Sequence, residues 1–226
     1  MTDPAARGML RAAAAHVIVD DIAAPVLDVA AAHHLFRVLR LRDGEAVTVT
    51  DGRGNWRSCR AAGGELQLDG DAHAVPARAM PSTVAFAIPK LDRPEWVVQK
   101  LTELGVERIV LLHADRSVVR WDVDRAARHV ARLRRVAVEA LEQSRGVWLP
   151  DIVGPLPAAE VLPGMVVAEP GGRAPTTCDH AVAIGPEGGW SSDELELASD
   201  RVALTQTVLR VETAALVAGA LMSCRQ

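Results

Sequence analysis

Hydrophobic and polar residues alternate in short stretches over the first 80 residues of the chain. A period of two is the pattern of a half-buried β-strand. Asp51-Gly52 and Asp69-Gly70 follow two of these stretches and indicate turns. The pattern predicts a small, mostly β domain with strands over residues 16–20, 46–50, 55–60 and 65–68.

One helix is predicted among these strands. Residues 29–39 place Leu35, Val38 and Leu39 on one helical face, and the arginines of this stretch lie elsewhere on its surface. The N-terminal domain is therefore expected to carry a basic helix.

The pattern changes after the proline-punctuated residues 75–81, which form the best candidate linker. Residues 83–88 are continuously apolar, as in a strand buried on both faces. Asp92 is the predicted N-cap of the next helix, with Pro94 and Glu95 in its first turn, and Gly105 is its predicted C-cap. The alternation of strands and helices then continues, with strands at 108–112, 165–168, 181–184 and 201–204 and helices at 124–143 and from about Ser191 and Glu212. This order predicts an α/β fold with a mostly parallel sheet, and hence two domains, 1–80 and 81–226.

Composition narrows the class of protein. A hydrophobic fraction of 49% excludes wholesale disorder, and no run approaches the roughly 20 apolar residues of a membrane span. The alanine-rich start lacks a leucine-rich core, so we expect no signal peptide. Cys59, Cys178 and Cys224 are far apart and form no metal-spaced pair, which fits a reducing cytosol and predicts no metal site.

Charge is unevenly distributed along a chain whose formal net charge is −4. Eight arginines and four acidic residues lie between Arg116 and Arg145. A solvated helix face explains this excess as well as an RNA-facing patch does. Aromatic residues make up 3% of the chain, which argues against a base-stacking sheet for RNA.

A glycine-rich loop, Gly185-Pro186-Glu187-Gly188-Gly189, follows the predicted strand 181–184 and precedes a Ser-x-x-Glu helix start. Glycines at the carboxyl end of a buried strand let a ligand approach the backbone. Neither the dinucleotide fingerprint nor the P-loop pattern is present. The loop is thus either a ligand site or a tight turn, and the ligand site is favoured.

Arg210 and Glu212 flank the start of an otherwise apolar helix. The helix dipole explains Glu212 without any function, but it disfavours a cation at this end. Arg210 is therefore a candidate for contact with an anion or with developing negative charge. Two further polar segments are ambiguous: a solvated helix face explains most of residues 90–106, and a C-cap at Gly146 competes equally with an RNA contact at residues 142–146.

Six motifs in order resemble the RsmE family of 16S ribosomal RNA uridine-N3 methyltransferases. They are K-L-D (90–92), K-x-T-E-L-G-V (100–106), R-S-V-V-R (116–120), E-Q-S-R (142–145), G-P-E-G-G (185–189) and L-R-x-E-T-A (209–214). Residues 33–40, with Gly44 and Asp51-Gly52, resemble the PUA-like RNA-binding domain of that family. The resemblance covers nearly the whole chain.

The resemblance implies a SPOUT-type parallel sheet with a C-terminal trefoil knot, a small N-terminal PUA-like β-barrel domain, and a homodimer. It implies S-adenosylmethionine as cofactor, held bent in the knot. The cofactor-binding residues carried over are Ala168, Glu169, Ile184, Gly185, Pro186, Gly188, Gly189, Leu204, Val208, Leu209 and Arg210.

The implied activity is methylation of N3 of a uridine in 16S ribosomal RNA or the small ribosomal subunit, in the cytoplasm. The place of Arg210 at the cofactor loop makes it the catalytic candidate for stabilising negative charge on the uracil, and Glu212 is the candidate base or base-orienter, with a helix-dipole partner as the alternative. The expected RNA-binding residues are Arg37, Arg40, Lys90, Lys100, Arg116, Arg120, Gln143 and Arg145. The alternatives are a SPOUT enzyme with another target, a non-catalytic RNA-binding assembly protein, and an unrelated α/β enzyme for a small molecule.

The chain departs from the family pattern in three places. Thr205 stands where the family usually has glycine, so a shifted backbone is expected there. The E-Q-S-R motif continues with Gly146 instead of a second arginine, and the usual aromatic residue near residues 16–18 is absent.

Overall fold

The computed structural model describes residues 4–90 and 93–224, which divide into two compact units. The first unit contains the described residues up to Arg78 and also Leu141–Leu149; the second contains Ala79–Ala140 and the described residues from Pro150 onward. The first boundary lies within the predicted linker, and the sequence pattern does not indicate the return of Leu141–Leu149. No helix of the described chain is long and apolar enough to cross a membrane.

The first unit is built on a four-stranded sheet with the strand order β1-β2-β3-β4. Its elements are α1 (Pro4–Ala12), β1 (Ala15–Ile18), α2 (Val29–His33), a π-helical turn (His34–Val38), β2 (Ala46–Thr50), β3 (Asn55–Ala62) and β4 (Glu65–Ala74). The β1 and β2 strands are parallel, and the other pairs are antiparallel. Where a barrel was expected, the described strands form a sheet without pairing between β1 and β4.

Two sequence predictions for the first unit were wrong. Asp69-Gly70 does not end its strand: β4 continues to Ala74, with Gly70 at a φ of +116° and a register shift opposite it in β3. The predicted helical face also fails, because Leu35 is buried whereas Val38 is 57% exposed and Leu39 48% exposed. The π-helical turn changes the angular spacing of side chains, so the 3.6-residue period no longer applies.

The second unit contains a six-stranded sheet with the order β10-β8-β9-β5-β6-β7, and every strand pair in it is parallel. This confirms the predicted parallel α/β fold. The elements are β5 (Thr83–Ala87), α3 (Arg93–Glu103), β6 (Arg108–His113), α4 (Val123–Ser144), β7 (Asp151–Pro157), α5 (Ala158–Val161), β8 (Val166–Arg173), β9 (Ala181–Ile184), α6 (Ser192–Leu197), β10 (Asp200–Val202) and α7 (Val211–Ser223). Of these, the last four residues of α4 belong to the first unit.

The β7 strand has no counterpart in the sequence prediction because it contains Gly154, Pro155 and Pro157. It lies at the edge of the sheet, where a residue without a backbone N–H is tolerated. Composition alone cannot reveal such a strand, since its place in the sheet is what makes the prolines acceptable.

The helix α3 ends as predicted. Gly105 adopts a φ of +72°, and the amides of Gly105 and Val106 donate to the carbonyls of Thr102 and Leu101. These two bonds form the Schellman arrangement for which glycine is the preferred residue. The predicted N-cap, Asp92, lies outside the described residues.

Candidate functional site

A cavity of about 230 Å³ opens in the second unit. It is lined by residues 168–170 of β8, by the loops that follow β9 and β10, and by the start of α7. Pairing of β8 with β9 ends at Ala168, and pairing with β10 jumps from Val167 to Arg173. The intervening residues of β8 therefore leave the sheet at a point where the backbone can face a ligand.

Most of the predicted cofactor residues meet at this cavity. Nine of the eleven line it: Ala168, Glu169, Ile184, Gly185, Pro186, Gly189, Leu204, Val208 and Leu209. Gly188 and Arg210 do not line it. Three stretches separated by up to 36 residues in sequence thus form one wall, which no local pattern could show.

Thr205, where a shifted backbone was expected, also lines the cavity. Thr205 is not among the described non-glycine residues with positive φ. Its hydroxyl donates to the carbonyl of Thr207 at 2.7 Å. The loop therefore accommodates a side chain at this position without left-handed strain.

The glycine loop is both a tight turn and part of the cavity wall. The Gly189 amide donates to the Pro186 carbonyl at 2.8 Å, and Gly189 has a φ of +72°. A Cβ on Gly185 would lie 2.9 Å from the buried Trp190 ring, so the ring requires a glycine there. The Trp190 indole N–H donates to the Ala168 carbonyl at 3.3 Å, which ties the loop to β8.

The predicted capping box at the start of α6 is confirmed. The Ser191 hydroxyl accepts from the Glu194 amide, and the Glu194 carboxylate accepts from the Ser191 amide. The buried Glu194 carboxylate also accepts from the Asp115 amide at 2.8 Å, and Ser191 donates to Asp115 at 2.6 Å. These bonds fix the glycine loop to the segment after β6.

Among the described residues, the side chains that line the cavity include two carboxylates, Glu169 and Glu187, and no lysine or arginine. Negative charge in the wall of a partly shielded cleft favours a cationic ligand. The remaining lining is largely apolar and backbone, as is common in sites for nucleoside-sized molecules.

Arg210 and Glu212 lie at the start of α7, beside the cavity. Arg210 is the N-cap residue, but it makes no side-chain capping bond and its side chain is exposed. Glu212 is largely buried, and its Oε1 lies 3.3 Å from Nη1 of Arg93. The helix dipole therefore accounts for only part of the environment of Glu212.

In the second unit, the predicted RNA-binding residues have different surroundings. The Arg116 guanidinium donates to the Gly188 carbonyl at 3.1 Å, and Arg120 donates to the Ala114 carbonyl at 2.9 Å. Lys100 is paired with Glu103 at 2.7 Å, whereas Lys90 is exposed. Arg116 is thus the predicted RNA residue that the structure brings to the glycine loop.

In the first unit, Arg37, Arg40 and Gln143 are exposed. Arg40 adopts a φ of +58°, which is uncommon for a residue with a Cβ. Arg145 follows α4 and has a φ of +61°, so the left-handed residue after the helix is Arg145 and not the predicted C-cap, Gly146. The Arg145 guanidinium donates to the Ala13 carbonyl at 3.0 Å, and burial lowers its pKa.

Three residues of the site were not predicted from the sequence: Arg93, Trp190 and Asp115. Arg93 contacts Glu212 and lies 4.0 Å from Glu187 in the cavity wall. In the sequence, Arg93 lies between the predicted N-cap and Pro94, so the start of a helix was enough to explain this stretch without a site. Only the parallel sheet brings the end of β5 next to the end of β9.

Comparison with known proteins shows consistent similarity over nearly the whole chain. A family model described as an RNA methyltransferase domain matches residues 76–223, and one described as an RNA methyltransferase PUA domain matches residues 27–61. Ribosomal RNA small subunit methyltransferase E of Mycobacterium bovis is 32% identical over 225 residues, covering 88% of this chain and 86% of that protein. The enzyme of the same name from Synechocystis is 30% identical over 85% of this chain and 70% of that protein.

Solved structures agree with these relatives. A probable rRNA-methyltransferase from Porphyromonas gingivalis superposes with a TM-score of 0.76 at 27% identity, covering 94% of this chain and 98% of that one. Ribosomal RNA small subunit methyltransferase E from Neisseria gonorrhoeae, bound to S-adenosyl methionine, superposes with a TM-score of 0.73 at 25% identity, covering 93% and 97%. The ordered motifs, the cavity they form and these matches together show that the chain belongs to the RNA methyltransferases, in the family of ribosomal RNA small subunit methyltransferase E.

Proposed function

We propose that this protein transfers the methyl group of S-adenosylmethionine to N3 of a specific uridine in 16S ribosomal RNA. The observation that carries the proposal is the convergence of nine predicted cofactor residues on one cavity. The two wall carboxylates suit a ligand that carries a sulfonium and an ammonium group. When bound, this cofactor supplies an electrophilic methyl group.

The protein's own residues have two tasks in this reaction. The first is positioning, since a base held in line with the methyl group reacts far faster than a free one. The second is charge: loss of the N3 proton leaves negative charge on O2 and O4 of the uracil. We assign the stabilisation of that charge to Arg210, which is exposed beside the cavity, and acceptance of the proton to Glu212.

The first unit, with Arg37 and Arg40, is proposed to bind RNA, together with Lys90, Lys100, Arg116, Arg120, Gln143 and Arg145. The family model over residues 27–61 supports this role. The exposed side chains in this set are accessible to phosphate. Four members already have partners within the chain, namely Lys100, Arg116, Arg120 and Arg145. We also place the protein in the cytoplasm, consistent with its free cysteines.

We further infer the trefoil knot and the homodimer. The chain leaves β10 at one edge of the sheet and returns as α7, which contacts β5, β9 and α3. Such a return past two strands suits threading through the loop after β8. The homodimer rests on the family resemblance, and Val123 and Val208, each 85% exposed, are apolar side chains that a second copy could cover.

Calorimetry and mass spectrometry test the proposed activity. The purified protein is expected to bind S-adenosylmethionine and to form N3-methyluridine in 16S ribosomal RNA or in small ribosomal subunits. A 2′-O-methylated nucleoside or another methylated base would instead identify a SPOUT enzyme with a different target. Absence of cofactor heat together with retained RNA binding would favour a non-catalytic assembly protein.

Substitution of Arg210 tests its proposed role. Arg210→Ala is expected to lower kcat by about 100-fold or more, since removal of one preorganised donor to an oxyanion has that effect. Cofactor and RNA affinities, measured in parallel, should change little. Wild-type turnover with normal binding of both ligands would contradict the assignment.

A further inference from the structure

Arg93 joins two carboxylates that belong to different parts of the site. It begins α3 at the carboxyl end of β5, and its Nη1 lies 3.3 Å from Oε1 of Glu212 and 4.0 Å from Oε1 of Glu187. Glu187 lines the cavity, and Glu212 lies in the first turn of α7. The guanidinium therefore links the cavity wall to the residue proposed as the proton acceptor.

The two oxygens of Glu212 have different surroundings. Oε1 contacts Arg93, whereas Oε2 is buried and has no hydrogen-bond partner among the described residues. The side chain as a whole is only 13% exposed. A buried carboxylate oxygen without a donor is unfavourable, so a water molecule or a ligand group is needed to satisfy it.

An ion pair that served stability alone does not explain this arrangement. Arg93 keeps 34% of its side chain exposed, and partly exposed ion pairs contribute little to folding. The pair instead engages one carboxylate oxygen, through the single contact of Nη1 with Oε1, and leaves the other without a partner among the described residues. Because Oε2 is covered in the free protein, an N–H group of a bound base reaches it only when the side chains that cover it move aside.

We propose that Arg93 is a positioning residue for methyl transfer, holding Glu212 so that Oε2 receives the N3 proton of the target uracil. This inference rests on the proposed function. As the N3–H bond breaks, an O–H bond forms at Oε2, and the electron pair left on N3 bonds to the methyl carbon. The bond between that carbon and sulfur breaks, and its electron pair stays on the sulfur, which becomes a neutral thioether.

A double-mutant cycle separates positioning from a merely structural role. Arg93→Met is expected to lower kcat by about 100-fold, the effect of misplacing a catalytic group, with KM for RNA changed by less than about threefold. In the Glu212→Gln background the same substitution should lower kcat by less than about twofold, because its effect acts through Glu212. Arg93→Lys, which keeps the charge without the planar fork, should lose about tenfold.

Two measurements accompany the cycle. Calorimetry with S-adenosylmethionine should give wild-type affinity for Arg93→Met, and thermal unfolding should show that it folds. Arg108→Met is the matched control, since Arg108 also pairs with a carboxylate, Asp151 at 3.8 Å, but at the amino end of β6. This control should keep wild-type kcat.

The outcomes distinguish the two proposals. A wild-type protein that forms no N3-methyluridine would overturn the proposed function and this inference with it. An active wild-type protein whose Arg93→Met variant turns over normally would overturn this inference alone. Fully additive effects of Arg93→Met and Glu212→Gln would also overturn it, and if Arg93→Met fails to fold, the cycle is run with Arg93→Lys.

Discussion

His16 is a buried imidazole that connects three segments of the first unit. Its Nε2 donates to the Gly146 carbonyl at 2.8 Å, so Nδ1 accepts from the Thr48 hydroxyl, also at 2.8 Å. Acceptance at Nδ1 requires the neutral ring, whereas donation to the Gly146 carbonyl favours the protonated one. Burial disfavours the imidazolium and lowers the pKa of His16 from 6.5 to about 4. This residue thus serves as a polar contact in the core of the first unit.

The lowered pKa predicts a pH-dependent stability. His16 binds a proton near pH 6.5 in the unfolded chain but only near pH 4 in the folded chain. The contribution of its neutral ring to the free energy of unfolding is therefore fully present above about pH 6.5. It should decline by about 3 kcal/mol as the pH falls from about 6.5 to 4. Urea unfolding of wild type and His16→Gln across this range measures the difference. The exposed His34→Gln should follow wild type, and equal pH profiles for wild type and His16→Gln would contradict the assignment.

The helices α3 and α7 pack closely because α7 has a glycine at the contact. A Cβ on Gly219 would lie 2.7 Å from Cδ2 of Leu101, and 3.3 Å from side-chain atoms of Leu104 and Val106. Leu101 is fully buried, so its side chain has little room to move. This contact sets the position of α7, whose first turn carries the catalytic candidate Glu212.

A larger side chain at this contact should destabilise the second unit. Gly219→Val is expected to lower the free energy of unfolding by about 1–3 kcal/mol, the usual cost of overpacking a core. Ala220→Val, one residue along the same helix and half-buried, tests the effect of a β-branched residue without the clash. Denaturant unfolding of the two variants provides the measurement. Equal destabilisation would show that helix propensity, and not packing, dominates.

The helix α4 carries a stripe of basic side chains although the net charge of the whole molecule is negative. Arg125, Arg128, Arg132 and Arg135 recur at helical spacing and are all exposed. Arg132 pairs with Glu95 at 3.2 Å; within the part of the chain that the structure describes, the other three have no carboxylate partner. A stripe of this kind can contact phosphates even though the protein carries a net charge of −4.

Salt dependence tests whether this stripe contacts RNA. Replacing Arg128 and Arg135 with Gln should make the slope of log K against log salt shallower by roughly 1 to 2, since each lost phosphate contact removes about 0.7 to 0.9. Arg108 and Arg201, also exposed in the second unit, form the matched double control. Fluorescence anisotropy with a 16S ribosomal RNA fragment gives the slopes. An unchanged slope for the α4 variant would show that its arginines form a solvated face.

Local sequence patterns predicted correctly those features that depend on one secondary-structure element alone. The Gly105 C-cap and the Ser191 capping box follow from a few neighbouring residues, and both are present as predicted. The strand β7 and the exposed Val38 could not be predicted, because an edge position and a π-helical turn override composition and period. Arg93 was missed for a related reason: its partners Glu187 and Glu212 lie about 94 and 119 residues further along the chain.

By itself, the sequence determined the parallel α/β class and the motifs that identify the family. These properties depend on hydrophobic period, capping chemistry and motif order, all of which are encoded locally. Only the tertiary structure decided that Leu141–Leu149 belongs to the first unit and that Arg93 meets Glu212. Strand order in the sheet selects those neighbours, and strand order is set by long-range packing that no single stretch of sequence contains.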